Sequence, residues 1–155
     1  MGDNIYRCTV KENMPLKVLV IDRDTSLTDL LTQLLKPRGF EIIAASTTAL
    51  GIESIQQLEP RVVILDWNMP GVNGLKVCRK VRRFSQVPIV VISAFDDPEL
   101  VAKALDAGAD DYLVKPVPSG VLIAHLNKLT RRVDMTGNDS TIHTDPPPNK
   151  NGENK

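Results

Sequence analysis

The residues of this 155-residue chain with chemical potential follow short apolar runs. Asp22-Arg23-Asp24 follows the first run, and Asp66-Trp67-Asn68 follows another. Ser93-Ala94 ends a third, and Lys115-Pro116 closes a fourth. Carboxylates brought together repel, and an oxygen-seeking divalent cation relieves that repulsion. Magnesium suits such a set because it takes a few carboxylates and keeps part of its water shell. A lysine and a hydroxyl beside that ion form a receptacle for a tetrahedral anion such as a phosphoryl group. Asp66, central among these residues, is the candidate nucleophile. Each residue alone has a plainer reading. A strand-end Asp is commonly a turn former or helix cap, a lone lysine is a solvated charge, and Ser93 is a turn or cap residue. Tyr112 would be core with its hydroxyl hydrated, and Cys78 is packing. The functional reading rests on four different segment ends offering compatible chemistry.

Two alternating patterns must position these residues. Continuous, largely β-branched runs at Val18–Ile21, Ile42–Ala45, Val62–Leu65, Ile89–Ile92 and Tyr112–Val114 suit strands buried on both faces, as in a parallel sheet. Helical-period segments lie between and after them. Leu27, Leu30, Leu31, Leu34 and Leu35 make one apolar stripe, with Thr25 or Ser26 as its cap and Pro37 and Gly39 as its stop. Val77, Cys78, Val81 and Phe84 form another, as do Leu100, Val101, Ala104 and Leu105, and finally Leu122, Leu126 and Leu129. Thr47 to Leu58 fills the remaining slot, weakened by Gly51. Five strands alternating with five helices imply an α/β fold, a doubly wound parallel sheet with helices on both faces. Ligands in such sheets sit beyond the carboxyl ends of the strands, where the residues above fall.

Composition sets the outer limits. Lysine plus arginine (19) balances aspartate plus glutamate (19), which argues against a chain built to coat nucleic acid or an anionic membrane. Aromatics at 4% make stacking platforms for single strands an unpromising reading. No apolar run approaches a membrane span, and no signal-peptide core opens the chain. Two cysteines, Cys8 and Cys78, provide no disulfide framework and suit a reducing cytoplasm. The expected organisation is an N-terminal extension over 1–15, one folded domain over 16–132, and a disordered polar tail over 133–155 that contains Pro146-Pro147-Pro148.

Taken in order, these motifs resemble the receiver domains of two-component response regulators. Val18-Leu-Val-Ile-Asp22 is similar to that family's first strand and acidic site. Asp66-Trp67-Asn68-Met69-Pro70, followed by Gly74, resembles its phosphoacceptor loop, especially in single-domain chemotaxis-type receivers. Ser93-Ala94 stands where the family has its switch hydroxyl, and Gly108-Ala-Asp-Asp-Tyr112-Leu-Val-Lys115-Pro116 resembles its last strand. The resemblance implies a flavodoxin-like (βα)5 fold with strand order 2-1-3-4-5. Asp66 would accept a phosphoryl group from the phosphohistidine of a sensor histidine kinase or phosphotransfer protein. Asp22, Asp66 and the Asn68 backbone carbonyl would hold magnesium, with Asp24 as a further candidate ligand. Lys115 would pair with the phosphoryl group, Ser93 would move to hydrogen-bond it, and Tyr112 would turn inward. A cis Lys115–Pro116 peptide is implied as well. The protein would be a self-phosphorylating and self-dephosphorylating signalling domain rather than a turnover enzyme.

One residue departs from the pattern. The family usually has a second acidic residue, a direct magnesium ligand, where this chain has Arg23. A cation there should lower magnesium affinity; alternatively, Arg23 points to solvent, or it approaches the phosphoryl position and partly substitutes for the metal. Three competing classes differ in what they require. A phosphatase of the haloacid dehalogenase type needs a general acid two residues after its nucleophile, and here that position is Asn68. A flavin carrier needs a Ser/Thr/Gly-rich phosphate loop after the first strand, where Asp22-Arg23-Asp24 would repel phosphate. A pseudo-receiver, acting as a phosphorylation-independent interaction module, draws its support from Arg23. The expected output is protein–protein contact, through a homodimer or a downstream protein on the helix 4/strand 5/helix 5 face. That segment resembles the receivers of winged-helix transcription factors. Arg131-Arg132 is too little basic charge for a direct nucleic-acid site.

Overall fold

A computed structural model describes residues 14–69, 71 and 73–137. Five strands, β1 (Leu16–Ile21), β2 (Phe40–Ala45), β3 (Val62–Asp66), β4 (Ile89–Ser93) and β5 (Asp111–Val114), form one sheet in the order β2-β1-β3-β4-β5. Every neighbouring pair is parallel. Five helices cover it: α1 (Thr25–Leu35), α2 (Thr48–Leu58), α3 (Gly74–Arg82), α4 (Pro98–Asp106) and α5 (Ser119–Gly137). This is the doubly wound α/β arrangement and strand order expected from the sequence.

Strand alternation divides the core into two layers, because successive side chains point to opposite faces. Val18, Val20, Val62, Ile64, Val90 and Ile92 pack with Leu31 and Leu35 of α1 and with Leu122, Leu126 and Leu129 of α5. Leu19, Ile21, Val63, Leu65 and Val91 pack with Ile55 of α2, Val77, Cys78 and Val81 of α3, and Ala104 of α4. Burial on both faces is complete in β3 and β4 and nearly so in β1. The edge strands differ: β2 is buried only at its two ends, Phe40 and Ala45, and β5 is only half-buried throughout. The sequence expectation of two-faced burial therefore holds for the three central strands only.

Several local details correct the sequence reading. The α1 cap is neither Thr25 nor Ser26 but Asp24, whose Oδ1 accepts from the Ser26 N–H at 2.9 Å. Lys36–Arg38 continues as a 3-10 turn stopped by Gly39 at φ 86°. Phe84 lies beyond α3 and is 42% exposed, so it is not part of the core stripe. Leu30 and Leu105 are also exposed, leaving Ala104 as the buried member of the α4 stripe. Gly51 was expected to weaken its helix; instead it lets α2 close on β1, since a Cβ there would lie 2.4 Å from Ile21 Cδ1. The α5 backbone runs through Gly137, past the expected boundary at residue 132. Most of the N-terminal extension and most of the proposed tail lie outside the described residues, as does Pro70.

Candidate functional site

The carboxyl ends of β1, β3, β4 and β5 bring most of the predicted site residues together. Asp22 follows β1 and is 6% exposed; Asp66 ends β3 and is 7% exposed; Ser93 ends β4 and is fully buried. Lys115 follows β5 and reaches back across the sheet, its Nζ 3.3 Å from Asp66 Oδ1. The same Oδ1 accepts the Asn68 backbone N–H at 3.0 Å. Both contacts hold the carboxylate from one side, orienting the phosphoacceptor candidate through an ammonium and a backbone dipole.

Asp22 is held in a similar way. Its Oδ1 accepts the Asp24 N–H at 2.9 Å, while its Oδ2 is buried without a hydrogen-bond partner. Burial raises its pKa above the ordinary carboxylate value, and the neighbouring Asp66 carboxylate adds to the rise. The Asp24 N–H and, more weakly, Lys115 pull it back. A buried acceptor without a partner is costly, and a second carboxylate beside it makes the pocket more anionic. Those are the conditions a hard cation relieves. Two carboxylates and a backbone carbonyl suit magnesium, which keeps several waters of its own. The residues fit that ion. Among the described residues, no three His, Cys, Asp or Glu side chains group closely enough to hold a metal without such additional donors.

Asp24 and Arg23 stand apart from this pair. Asp24 is exposed, and its carboxyl is held below the usual range first by the Ser26 backbone N–H it caps. Asp24, a candidate ligand in the sequence reading, thus caps α1 through Oδ1 and also lines the cavity that Asp22 and Lys115 line. Arg23 is exposed, the arrangement expected if it points toward solvent.

The switch candidates meet on a residue that sequence reasoning missed. Ser93 Oγ donates to Asn68 Oδ1 at 3.3 Å and accepts the Phe95 N–H at 3.1 Å. The Tyr112 hydroxyl donates to the Phe95 carbonyl at 2.8 Å. Phe95 therefore joins the two through its backbone, which no side-chain pattern could reveal. The Asn68 side chain, holding Ser93, was also missed. The Trp67 ring fills the space over Gly74, where a Cβ would meet it at 2.4 Å, fixing the loop after β3 against the start of α3. The Lys115–Pro116 peptide is cis, as the resemblance implied.

A five-stranded parallel sheet in the order β2-β1-β3-β4-β5, with two buried carboxylates, a hydroxyl and a lysine at its carboxyl edge, defines a flavodoxin-like α/β domain. The response regulator receiver domain model matches residues 18–127, and the chain belongs to that family, the receivers of two-component signalling. The DNA-binding response regulator MtrA of Mycobacterium tuberculosis is 37% identical over 123 residues, covering 79% of this chain and 54% of MtrA. The transcriptional regulatory protein AfsQ1 of Streptomyces coelicolor is 35% identical over 127 residues, covering 82% and 56%. The chain thus spans about half the length of these curated relatives. A two-component response regulator from Clostridium difficile superposes with a TM-score of 0.73 at 28% identity, over 77% of this chain and 98% of that one. The BeF3-activated N-terminal receiver domain of Klebsiella pneumoniae RstA gives 0.69 at 29% identity, over 74% and 98%. No helix among the described residues is long and apolar enough to cross a membrane.

Proposed function

We propose that Asp66 accepts a phosphoryl group from a phosphohistidine donor, a sensor histidine kinase or a phosphotransfer protein. The observation that carries this reading is the Lys115–Asp66 contact beside the unpartnered Asp22 oxygen. With Oδ1 of Asp66 engaged by Lys115 and by the Asn68 N–H, Oδ2 is the oxygen suited to attack. The Lys115 ammonium lies where charge on the incoming phosphoryl oxygens would gather, so catalysis is mostly positioning and electrostatics. Asp22, Asp66 and the Asn68 backbone carbonyl would hold magnesium, which supplies neutralisation of the developing charge. A cavity of about 390 Å³ opens between α1 and α5, with Asp22 and Lys115 among its lining residues. The domain undergoes its own phosphorylation and dephosphorylation and is not a turnover enzyme.

Output follows from Ser93. When its hydroxyl turns to a phosphoryl oxygen on Asp66, it gives up Asn68 Oδ1 and the Phe95 N–H. The β4–α4 loop then loses one of its ties, and Tyr112, bonded to the Phe95 carbonyl, shares the adjustment. A local charge change becomes a change of the α4–β5–α5 face, which would contact a second copy or a downstream protein. Trp67, the only tryptophan and next to Asp66, reports on this directly. Magnesium followed by beryllofluoride should change its fluorescence in two saturable steps, the second absent in Asp66→Asn. A flat response to both additions would instead support a phosphorylation-independent interaction module.

A further inference from the structure

Charge is distributed differently on α3. Residues 74–83 hold Lys76, Arg79, Lys80, Arg82 and Arg83 and no carboxylate, in a chain whose net charge is zero. The structure splits the five. Arg82 turns inward: its Nε donates to the Gly108 carbonyl at 3.0 Å, its Nη1 to the Val87 carbonyl at 2.7 Å, and its Nη2 to Asp110 at 2.9 Å. It clamps the end of α3 to the start of β5 and is structural. Lys76, Arg79, Lys80 and Arg83 are exposed and spaced i, i+3, i+4, i+7, opposite the buried Val77, Cys78 and Val81. They form one outward stripe about 10 Å long. Cations in the last helical turn complement the helix dipole, but Lys76 lies in the first turn. The pairs Lys76/Lys80 and Arg79/Arg83 set like charges at i,i+4, which destabilises a helix. The stripe is a cost to the domain alone that an anionic partner would relieve.

The stripe leads to an exposed aromatic ring. Phe84, 42% exposed, stands at the rim of a recess of about 580 Å³ between the end of α2 and the loop into β4, whose wall mixes Pro60, Val87 and Pro88 with the polar Gln56, Glu59 and Gln86. This recess is at the amino end of β3 and β4, away from Asp66. A nucleic-acid backbone would use the cations but make no use of the exposed Phe84 ring, and the Glu59 carboxylate in the recess would repel it. A bilayer surface would lie across the concavity without filling it. A protein segment uses both.

We propose that the outer face of α3, with Phe84, docks an acidic helical segment of a partner protein, whose carboxylates meet Lys76, Arg79, Lys80 and Arg83 while an apolar side chain beyond them seats against Phe84. Because this surface is remote from Asp66, docking and phosphorylation can coexist on one molecule, and neither depends on the other.

The test uses the full chain and a fluorescein-labelled helical peptide with glutamates at i, i+3, i+4 and i+7 and a leucine beyond the last. Fluorescence anisotropy should show binding that weakens as salt rises. Arg79→Gln with Lys80→Gln should weaken it about tenfold. Phe84→Ser should weaken it about threefold or more with the salt dependence unchanged, and both variants should take up phosphoryl groups from acetyl phosphate as wild type does. The proposal is overturned if wild type does not bind the peptide or if either variant binds it as well as wild type. It is also overturned if a labelled DNA duplex or phosphatidylglycerol vesicles bind wild type more tightly than the peptide does.

Discussion

The carboxyl edge of the sheet and the outer face of α3 carry opposite charge under opposite conditions. At the sheet edge, Asp22 and Asp66 are more than nine-tenths buried, with the Lys115 ammonium against Asp66. On α3, four cations stand in water. Two charges at a given separation interact several times more strongly at the first site than at the second, because buried charges are poorly screened. The zero net charge of the chain is therefore the sum of two fields with different roles. The buried one is strong enough to do chemistry, and the exposed one suits recognition.

The comparison can be broken first at its strongest contact. Lys115→Ala should lower the rate of Asp66 phosphorylation by about a hundredfold or more, the scale of losing one well-placed electrostatic stabiliser, as read by phosphoryl uptake over time. Neutralising Arg79 and Lys80 should leave that rate within about twofold, since exposed charges at a distance are screened. Equal losses in the two would show that the regions are not electrically distinct.

Asp22→Asn comes next. Asp22's raised pKa means that its folded neutral form is favoured. That stability is fully present at low pH and is lost as pH rises from the unfolded value through the raised folded one, leaving a penalty at neutral pH. Removing the charge should raise the unfolding free energy without magnesium, and it should abolish the stabilisation that magnesium gives wild type. Denaturant titrations with and without the ion check both. In wild type, magnesium affinity should begin to fall, on acidification, above the pH at which an ordinary carboxylate titrates.

Asp24→Ala sharpens the contrast between two neighbouring carboxylates. It should cost about 1 kcal/mol as a lost helix cap while leaving the magnesium midpoint nearly unchanged; a loss of affinity as large as that of Asp22→Asn would make Asp24 a ligand. The smallest expected effect is that of Arg23→Asp, which should tighten magnesium binding by about threefold, the reach of an exposed charge.

How much of this was legible in the sequence follows the same division. β3 and β4 read clearly because burial on both faces makes them continuous apolar runs. β1, β2 and β5 began earlier than their runs, at Leu16, Phe40 and Asp111, because Lys17, Glu41 and Asp111 interrupt the apolar pattern that marks a strand in sequence. Asp22, Asp66, Ser93 and Lys115 were legible because a parallel sheet delivers every strand end to one edge. Asp24 as a cap was not, since Asp24, Thr25 and Ser26 are all good caps and only the backbone chooses. Phe95 acts through its peptide group, so its side chain carried no signal. Phe84 looked like core because it continues the helical period of Val77 and Val81, and the helix ends before reaching it. Cys78 read correctly as packing: burial pushes its thiol up to about 11, so in a Cys8→Ser background iodoacetamide should label it only after unfolding.

The most direct test of the account is intact-mass measurement of the chain incubated with acetyl phosphate and magnesium, beside Asp66→Asn and beside wild type in chelator. Wild type should gain the mass of one phosphoryl group. Asp66→Asn should gain none, and chelation should slow the gain strongly. Wild type left unlabelled while a known receiver is labelled under the same conditions, or Asp66→Asn labelled as fully as wild type, would contradict it.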